Sequence, residues 1–288
     1  MNPEKRHKRE YEVLSFPSER EIVIDAGRLA SRRHIIHALI EIDVTLAREL
    51  LRAYAERRQC KLSFTAFVVA CLAKTIDSDP LVQAYRDWRG RLIVFHDVDI
   101  VTMIEPSPGA VAVPHIIRAA NRKTVRESSD EIRSIQTNPD RSAQRRGLMW
   151  GPKAPRFARR FFYWMLRKNP HWFKQMAGTA VVTSVGMFGR GGGWGIGFLP
   201  MHTLGVTVGG IGEKLGIHDG NTAKREYLNL TISFDHDIVD GARAARFAKT
   251  LSELIESALV LKEGAGNRIQ SQPPTPDTPL FLEVTKKL

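Results

Sequence analysis

Apolar residues recur along this chain with two different periods, and the periods take turns. From His37 to Thr45 (HALIEIDVT) the alternation is that of a half-buried strand. Thr45 stands where it would cap a helix in which Leu46, Leu50, Leu51 and Tyr54 recur at helical spacing. Ser63 is placed to cap a second helix, with Phe64, Phe67, Val68, Cys71, Leu72 and Ile76 as its buried stripe and Asp79-Pro80 as its end. Arg91 to Ile104 reads as a strand or hairpin segment, Glu105 to Gly109 (EPSPG) as a turn, and Ala110 to Ile117 as the returning strand. Lys123 to Ile135 reads as a polar, exposed helix, and Thr137 to Lys153 has no clear period. Ala180 to Val185 is a strand that runs into Gly186. Thr203 to Ile211 and Tyr227 to Asp235 are two more, with a hairpin signal at Asp219-Gly220 between them. A helix starts at Gly241, its inner face marked by Ala244, Phe247, Leu251, Leu254, Ile255 and Ala258. Helices interleaved with strands predict a mixed α/β class.

The bulk numbers narrow the function. A chain of 288 residues with 43% hydrophobic content can build a core of ordinary size. No apolar run reaches the length of a membrane span. The charged N-terminus lacks the apolar segment of a secretory signal. Two cysteines, Cys60 and Cys71, make no disulfide framework, so the expected setting is the cytoplasm. The net charge of +12 raises nucleic acid, membrane surfaces and anionic ligands as partners. Zinc-finger cysteines, an RNP signature and a basic zipper are all missing, so no nucleic-acid partner is expected. His34 and His37 have the spacing of two metal ligands on a helix, but no third ligand accompanies them and no metal is expected. Residues 156–176 (RFARRFFYWMLRKNPHWFKQM) are basic and aromatic, interrupted by Pro170. They suit a buried amphipathic helix with a basic outer face, or a segment that meets an anionic membrane surface or a protein partner. The loop Gly189 to Gly197 matches neither a dinucleotide fingerprint nor a P-loop, and is expected to be a flexible loop beside the site.

The densest chemical signal is His236-x-x-x-Asp240-Gly241, at the junction of a strand and a helix. A histidine held there is a natural general base near neutral pH. Asp240 is close enough to brace the loop, and Gly241 permits a tight turn into the helix. The plainer reading makes His236 structural and Asp240 a helix cap.

Two stretches carry a resemblance. DHDIVDGARAARF resembles the signature Asp-His-Arg-x-x-Asp-Gly and its Ala-rich helix in the catalytic domain of 2-oxo acid dehydrogenase acyltransferases (E2). Gly178 to Gly189 (GTAVVTSVGMFG) is similar to a second motif of that family, and Val111 to Lys123 and Glu41 to Thr45 echo it more weakly. The likeness spans roughly residues 35–260. It implies the chloramphenicol-acetyltransferase-like fold, two layers with a mixed sheet and flanking helices. It also implies an acyltransferase that uses coenzyme A as substrate, with His236 as base, the Thr183 hydroxyl stabilising the oxyanion, and Asp240 in an ion pair that fixes the histidine loop. Ser184, next to Thr183 and facing the other way, and Gly186 are the implied coenzyme A contacts. The family's site lies between subunits, so a homotrimer or an assembly of trimers is implied. Asp237 replaces the family's arginine, and a carboxylate that approached His236 would raise its pKa. Residues 1–35 are too few for a lipoyl or peripheral-subunit-binding domain, and no lipoyl group is expected on the chain. The expected organisation is a charged arm (1–20), a catalytic domain (21–265) with a basic aromatic insertion at about 153–177, and an extended tail (266–288). A catalytically inactive trimeric scaffold with the same fold is the alternative.

Overall fold

The computed structural model describes residues 11–17, 20–107, 112–144, 154–185, 191–197, 199–218 and 220–266. The alternating segments build one six-stranded sheet, in the order β1 (Ile35–Asp43), β8 (Asn221–Asp235), β7 (Leu204–His218), β6 (Ala180–Ser184), β4 (Ile100–Ile104), β5 (Val113–Ile117). It is mixed: β6 runs parallel to β4 and β7, and the other pairs are antiparallel. A two-stranded hairpin, β2 (Tyr85–Arg86) and β3 (Leu92–Ile93), stands apart from it.

One face of the sheet carries Ile42, Leu228, Leu230, Ile232, Phe234, Leu204, Val206 and Val182, all essentially solvent-free. Against it pack α3 (Phe64–Ser78) and α7 (Gly241–Ser257), with α2 (Thr45–Arg58), α4 (Val125–Thr137) and α8 (Leu259–Gly266) completing the layer. Phe234 meets Phe247 edge-on at 5.7 Å, a favoured aromatic geometry that locks α7 to the sheet. The architecture is the two-layer α/β arrangement expected.

Local details depart from the sequence reading for identifiable reasons. Ser63 caps α3 by accepting from Ala66 N. The helix is buried all round from Ala66 to Ala73, because α4 and α7 flank it as well as the sheet. Thr45 does not cap α2. Val44 holds the cap position, and the Thr45 hydroxyl instead accepts from Glu226 N, tying α2 to β8. The helix predicted at 123–135 is not fully exposed. Thr124 and Glu127 form a capping box, and Val125, Ile132 and Ile135 are buried. The two predicted strands near 203–211 and 227–235 are the inner halves of a longer hairpin, interrupted by a bulge between Val208 and Ile211. Its tip turns at Gly220 (φ +78°), while Asp219 lies outside the described residues.

The basic aromatic segment forms two helices, α5 (Arg156–Lys168) and α6 (Pro170–Ala177), split by Pro170. Leu166 and Phe173 join Tyr85 and Phe95 in a small second cluster. Arg159 is buried in an ion pair with Asp25 (2.8 Å) of α1 (Arg20–Ala30) and a second with Glu21 (3.0 Å). The outward face keeps Phe157, Phe161 and Trp164 in solvent, with the last two stacked at 5.8 Å.

His202 shows how this second cluster responds to acid. Its ring packs edge-on against Phe173 at 5.0 Å, and its Nε2 donates to Ala177 O at 2.8 Å. Burial pulls its pKa down to about 4. Between that value and the ordinary 6.5, the unfolded chain binds a proton that the folded chain does not, so stability falls as pH falls through this window. Wild type should lose about 3 kcal/mol more than His202→Gln between pH 7 and pH 4. Urea denaturation across that range tests this, and parallel pH profiles for the two proteins would refute it.

Candidate active site

The loop after β8 begins with a buried ion pair. Arg33, just before β1, donates to the Asp235 carboxylate, and both side chains are largely withdrawn from water. The neighbouring residues repeat the connection. His236 N donates to His34 O (2.8 Å), and the His34 ring donates to Asp237 (2.8 Å). Backbone N–H groups of Ile238 and Val239 then fold back onto Asp235 O, and Val239 is driven into the core. His236 is left exposed at the apex, on a loop whose backbone is fixed on both sides.

Two expectations are corrected here. Asp240 does not make the ion pair that pins the loop. Its carboxylate accepts from Arg243 N (2.7 Å) as the cap of α7, which lowers its pKa. Pinning belongs to Asp235 with Arg33, a partner foreshadowed only by the paired arginines at 32–33. Arg243 in turn reaches Asp79 (2.8 Å) at the end of α3. Asp237 does not approach His236. It pairs with His34, and that hydrogen bond raises the His34 pKa. Gly241 is the first residue of α7 rather than a special turn, and a Cβ there would meet nothing within 4 Å.

Thr183 lies on β6. Ala180 and Val182 face the helical layer, so Thr183 and Val181 face the other side. Thr183 forms a row with Thr207 and Thr231 across β6, β7 and β8. Ser184, half-buried like Thr183, faces the opposite side of β6, and Gly186 lies outside the described residues.

The start of this motif has its own physical reason. Gly178 (φ +75°) would place a Cβ 2.6 Å from Asp99 O, so only glycine fits. Thr179 accepts from Asp99 N and donates to Gln83, joining two strand entries in a buried network. The described part of the glycine-rich loop, 191–197, runs along β7. Gly210 N donates to Gly193 O (2.9 Å), and a Cβ on Gly209 would sit 2.4 Å from that oxygen. Asn229 bridges the loop to β1 through Gly193 N (2.7 Å) and Glu41 (3.2 Å). Gly197 then passes over Thr183 and Thr207.

One chain keeps the two principal residues apart. Thr183 is level with Thr231, two strands away. His236 lies five residues further along β8. Strand rise and spacing together put about 20 Å between them.

A family profile described as 2-oxoacid dehydrogenases acyltransferase (catalytic domain) matches residues 28–145 and 166–262. The chain belongs to this family. The match pauses over 146–165, which takes in most of α5. The dihydrolipoyllysine-residue acetyltransferase component of the pyruvate dehydrogenase complex of Bacillus subtilis is 26% identical over 233 residues, covering 77% of this chain and 45% of that protein. The chain thus spans about half the length of the curated relatives it matches. The cubic core of a pyruvate dehydrogenase multienzyme complex superposes with a TM-score of 0.66 at 18% identity, covering 91% of this chain and 98% of that one. The dihydrolipoamide acetyltransferase of Azotobacter vinelandii superposes at 0.65, also at 18% identity and with coverages of 91% and 98%. That structure was determined to examine a serine, a histidine and an asparagine four residues beyond the histidine in its catalytic mechanism. The shared fold is that of the family's core domain.

The pinning pair gives a direct test. Arg33→Leu leaves the Asp235 carboxylate buried without its partner and should cost about 3–5 kcal/mol in urea denaturation. Adding Asp235→Leu should recover most of that loss. Additive losses in the double variant would show that the pair is not coupled.

Proposed function

We propose that the chain is an acyltransferase that moves an acyl group between coenzyme A and a second thiol or other small acceptor, and that its site is completed by a neighbouring copy. The separation of about 20 Å between His236 and Thr183 that the strand geometry sets carries this reading. Each is presented on a rigid element, yet neither can serve the other within one chain. A trimer in which the His236 loop of one copy meets the Thr183 strand of the next removes the difficulty. Closed symmetry gives every copy the same pair of contacts.

The chemistry follows from the groups. Neutral His236 takes the proton from the attacking thiol. The thiolate adds to the thioester carbonyl, and the Thr183 hydroxyl donates to the resulting oxyanion. Collapse of the tetrahedral intermediate breaks the carbon–sulfur bond to the leaving thiolate, which recovers the proton from the imidazolium. Asp240 enters only indirectly, by capping α7 behind the loop. It stands four residues after His236, the spacing between the histidine and asparagine named for the Azotobacter protein. Ser184 and Gly186, on and after β6, are the proposed coenzyme A contacts beside Thr183.

Thiol release from a panel of acyl-coenzyme A donors tests the activity. His236→Ala should lower turnover by about 10²–10⁴-fold. No turnover by wild type would favour the inactive scaffold, and unchanged turnover in the variant would overturn the base role of His236. Mixing decides the interface. His236→Ala and Thr183→Val proteins, each inactive alone, should recover about one quarter of wild-type activity when co-assembled at equal amounts. A site held within one chain gives no recovery.

A further inference from the structure

A cleft of about 430 Å³ opens beside the His236 loop, between the end of α1, the β2–β3 hairpin and the junction of α5 with α6. Its charges do not balance. Three carboxylates line it, and each is already taken. Asp87 is held by Arg91 (2.8 Å), Asp235 by Arg33, and Asp237 by His34 (2.8 Å). The hydrogen bonds from Arg91 keep Asp87 ionised, because they lower its pKa despite burial. Four further cations line the same cleft: Arg32, Arg86, Arg167 and Lys168. Among the described residues none of the four meets a carboxylate. They come from three separate elements, so folding brings them together against their mutual repulsion.

The rest of the lining is apolar and aromatic. Leu166, Phe173 and Tyr85 are buried, and Trp88, 64% exposed, adds an indole from the hairpin, with the Arg89 guanidinium over its ring at 4.6 Å. The Arg33 Nε, buried beside the cleft, has no hydrogen-bond partner. His236 is not among the lining residues, although Asp235 and Asp237 on either side of it are.

We infer that this cleft binds a nucleotide carrying two or more phosphates, with the phosphates held by Arg32, Arg86, Arg167 and Lys168 and the base against Trp88. Guanidinium groups match phosphate oxygens in pairs, and an indole face accepts any base by stacking. The inference does not depend on acyl transfer. The nucleotide is either the end of coenzyme A remote from its thiol or a free molecule, and competition separates these sources.

Isothermal titration of the full chain with ADP is the test. Arg86→Ala/Arg167→Ala should weaken ADP binding at least about tenfold, as loss of charge-assisted hydrogen bonds does. Arg32→Gln/Lys168→Gln should do the same, and Trp88→Ala should weaken it further. All of these side chains but Lys168 are exposed, so melting temperatures should stay at the wild-type value. Displacement of coenzyme A by ADP, with pantetheine binding untouched, would identify the nucleotide end of coenzyme A as occupant. Undiminished coenzyme A binding to the ADP-saturated protein would identify a free nucleotide. Absence of ADP binding by wild type would overturn the inference, as would an unchanged ADP affinity in either double variant. Turnover of wild type against His236→Ala is read separately, so a failure here leaves the acyl-transfer reading standing or falling on its own result.

Discussion

The buried pair between Arg33 and Asp235 is the constraint around which the active end of the molecule is organised. It fastens the residue before the first long strand to the last residue of the final one. Once those two backbones are fixed, His236 has nowhere to be except at the apex, with His34 and Asp237 closing a second clasp outside it. A buried ion pair is a poor source of stability on its own, since desolvating both charges offsets most of their attraction. Its value lies in exclusivity. In the observed register Arg33 reaches Asp235, and a slip of one residue would turn the apolar face of β1 away from the helices.

The sheet face opposite the helices is unusual for its polarity. Thr183, Thr207, Thr231 and Ser233 occupy it, and the glycine-rich loop 191–197 covers only part of it. The glycines of β7 face those of the covering loop because two backbones approach too closely there for any side chain. Hydroxyls carried on the rigid backbone of the central strands are well held for positioning. This division, apolar toward the helices and hydroxyl-bearing toward the open side, separates what holds the domain together from what the proposed reaction would use.

Much of this was legible in the residues. The alternation at 37–45 and 227–235, the helical stripe from Gly241 and the strand at 180 place the main elements along the chain, and the two motifs identify the family. What escaped was whatever depends on partners distant in sequence. Arg33 carries no local pattern that marks it, and its carboxylate is about two hundred residues away. Asp237 looked like a neighbour of His236 because it is adjacent in sequence, yet in the turn after β8 its carboxylate meets His34. Thr45 looked like a cap because of its type, but the backbone had already placed Val44 there. In each case local chemistry gave the residue's capability, and the fold chose which capability was used.

The pairing of β1 with β8 bears on how the domain is made. Ile35 lies opposite Asp235, so β1 cannot join the sheet until nearly the whole domain has left the ribosome. Until then β1 offers unpaired backbone and a row of isoleucines to any strand that comes near. Topologies dominated by such distant contacts fold slowly. The charged, arginine-rich surface that surrounds the active end would, in that interval, keep incomplete chains from adhering to one another.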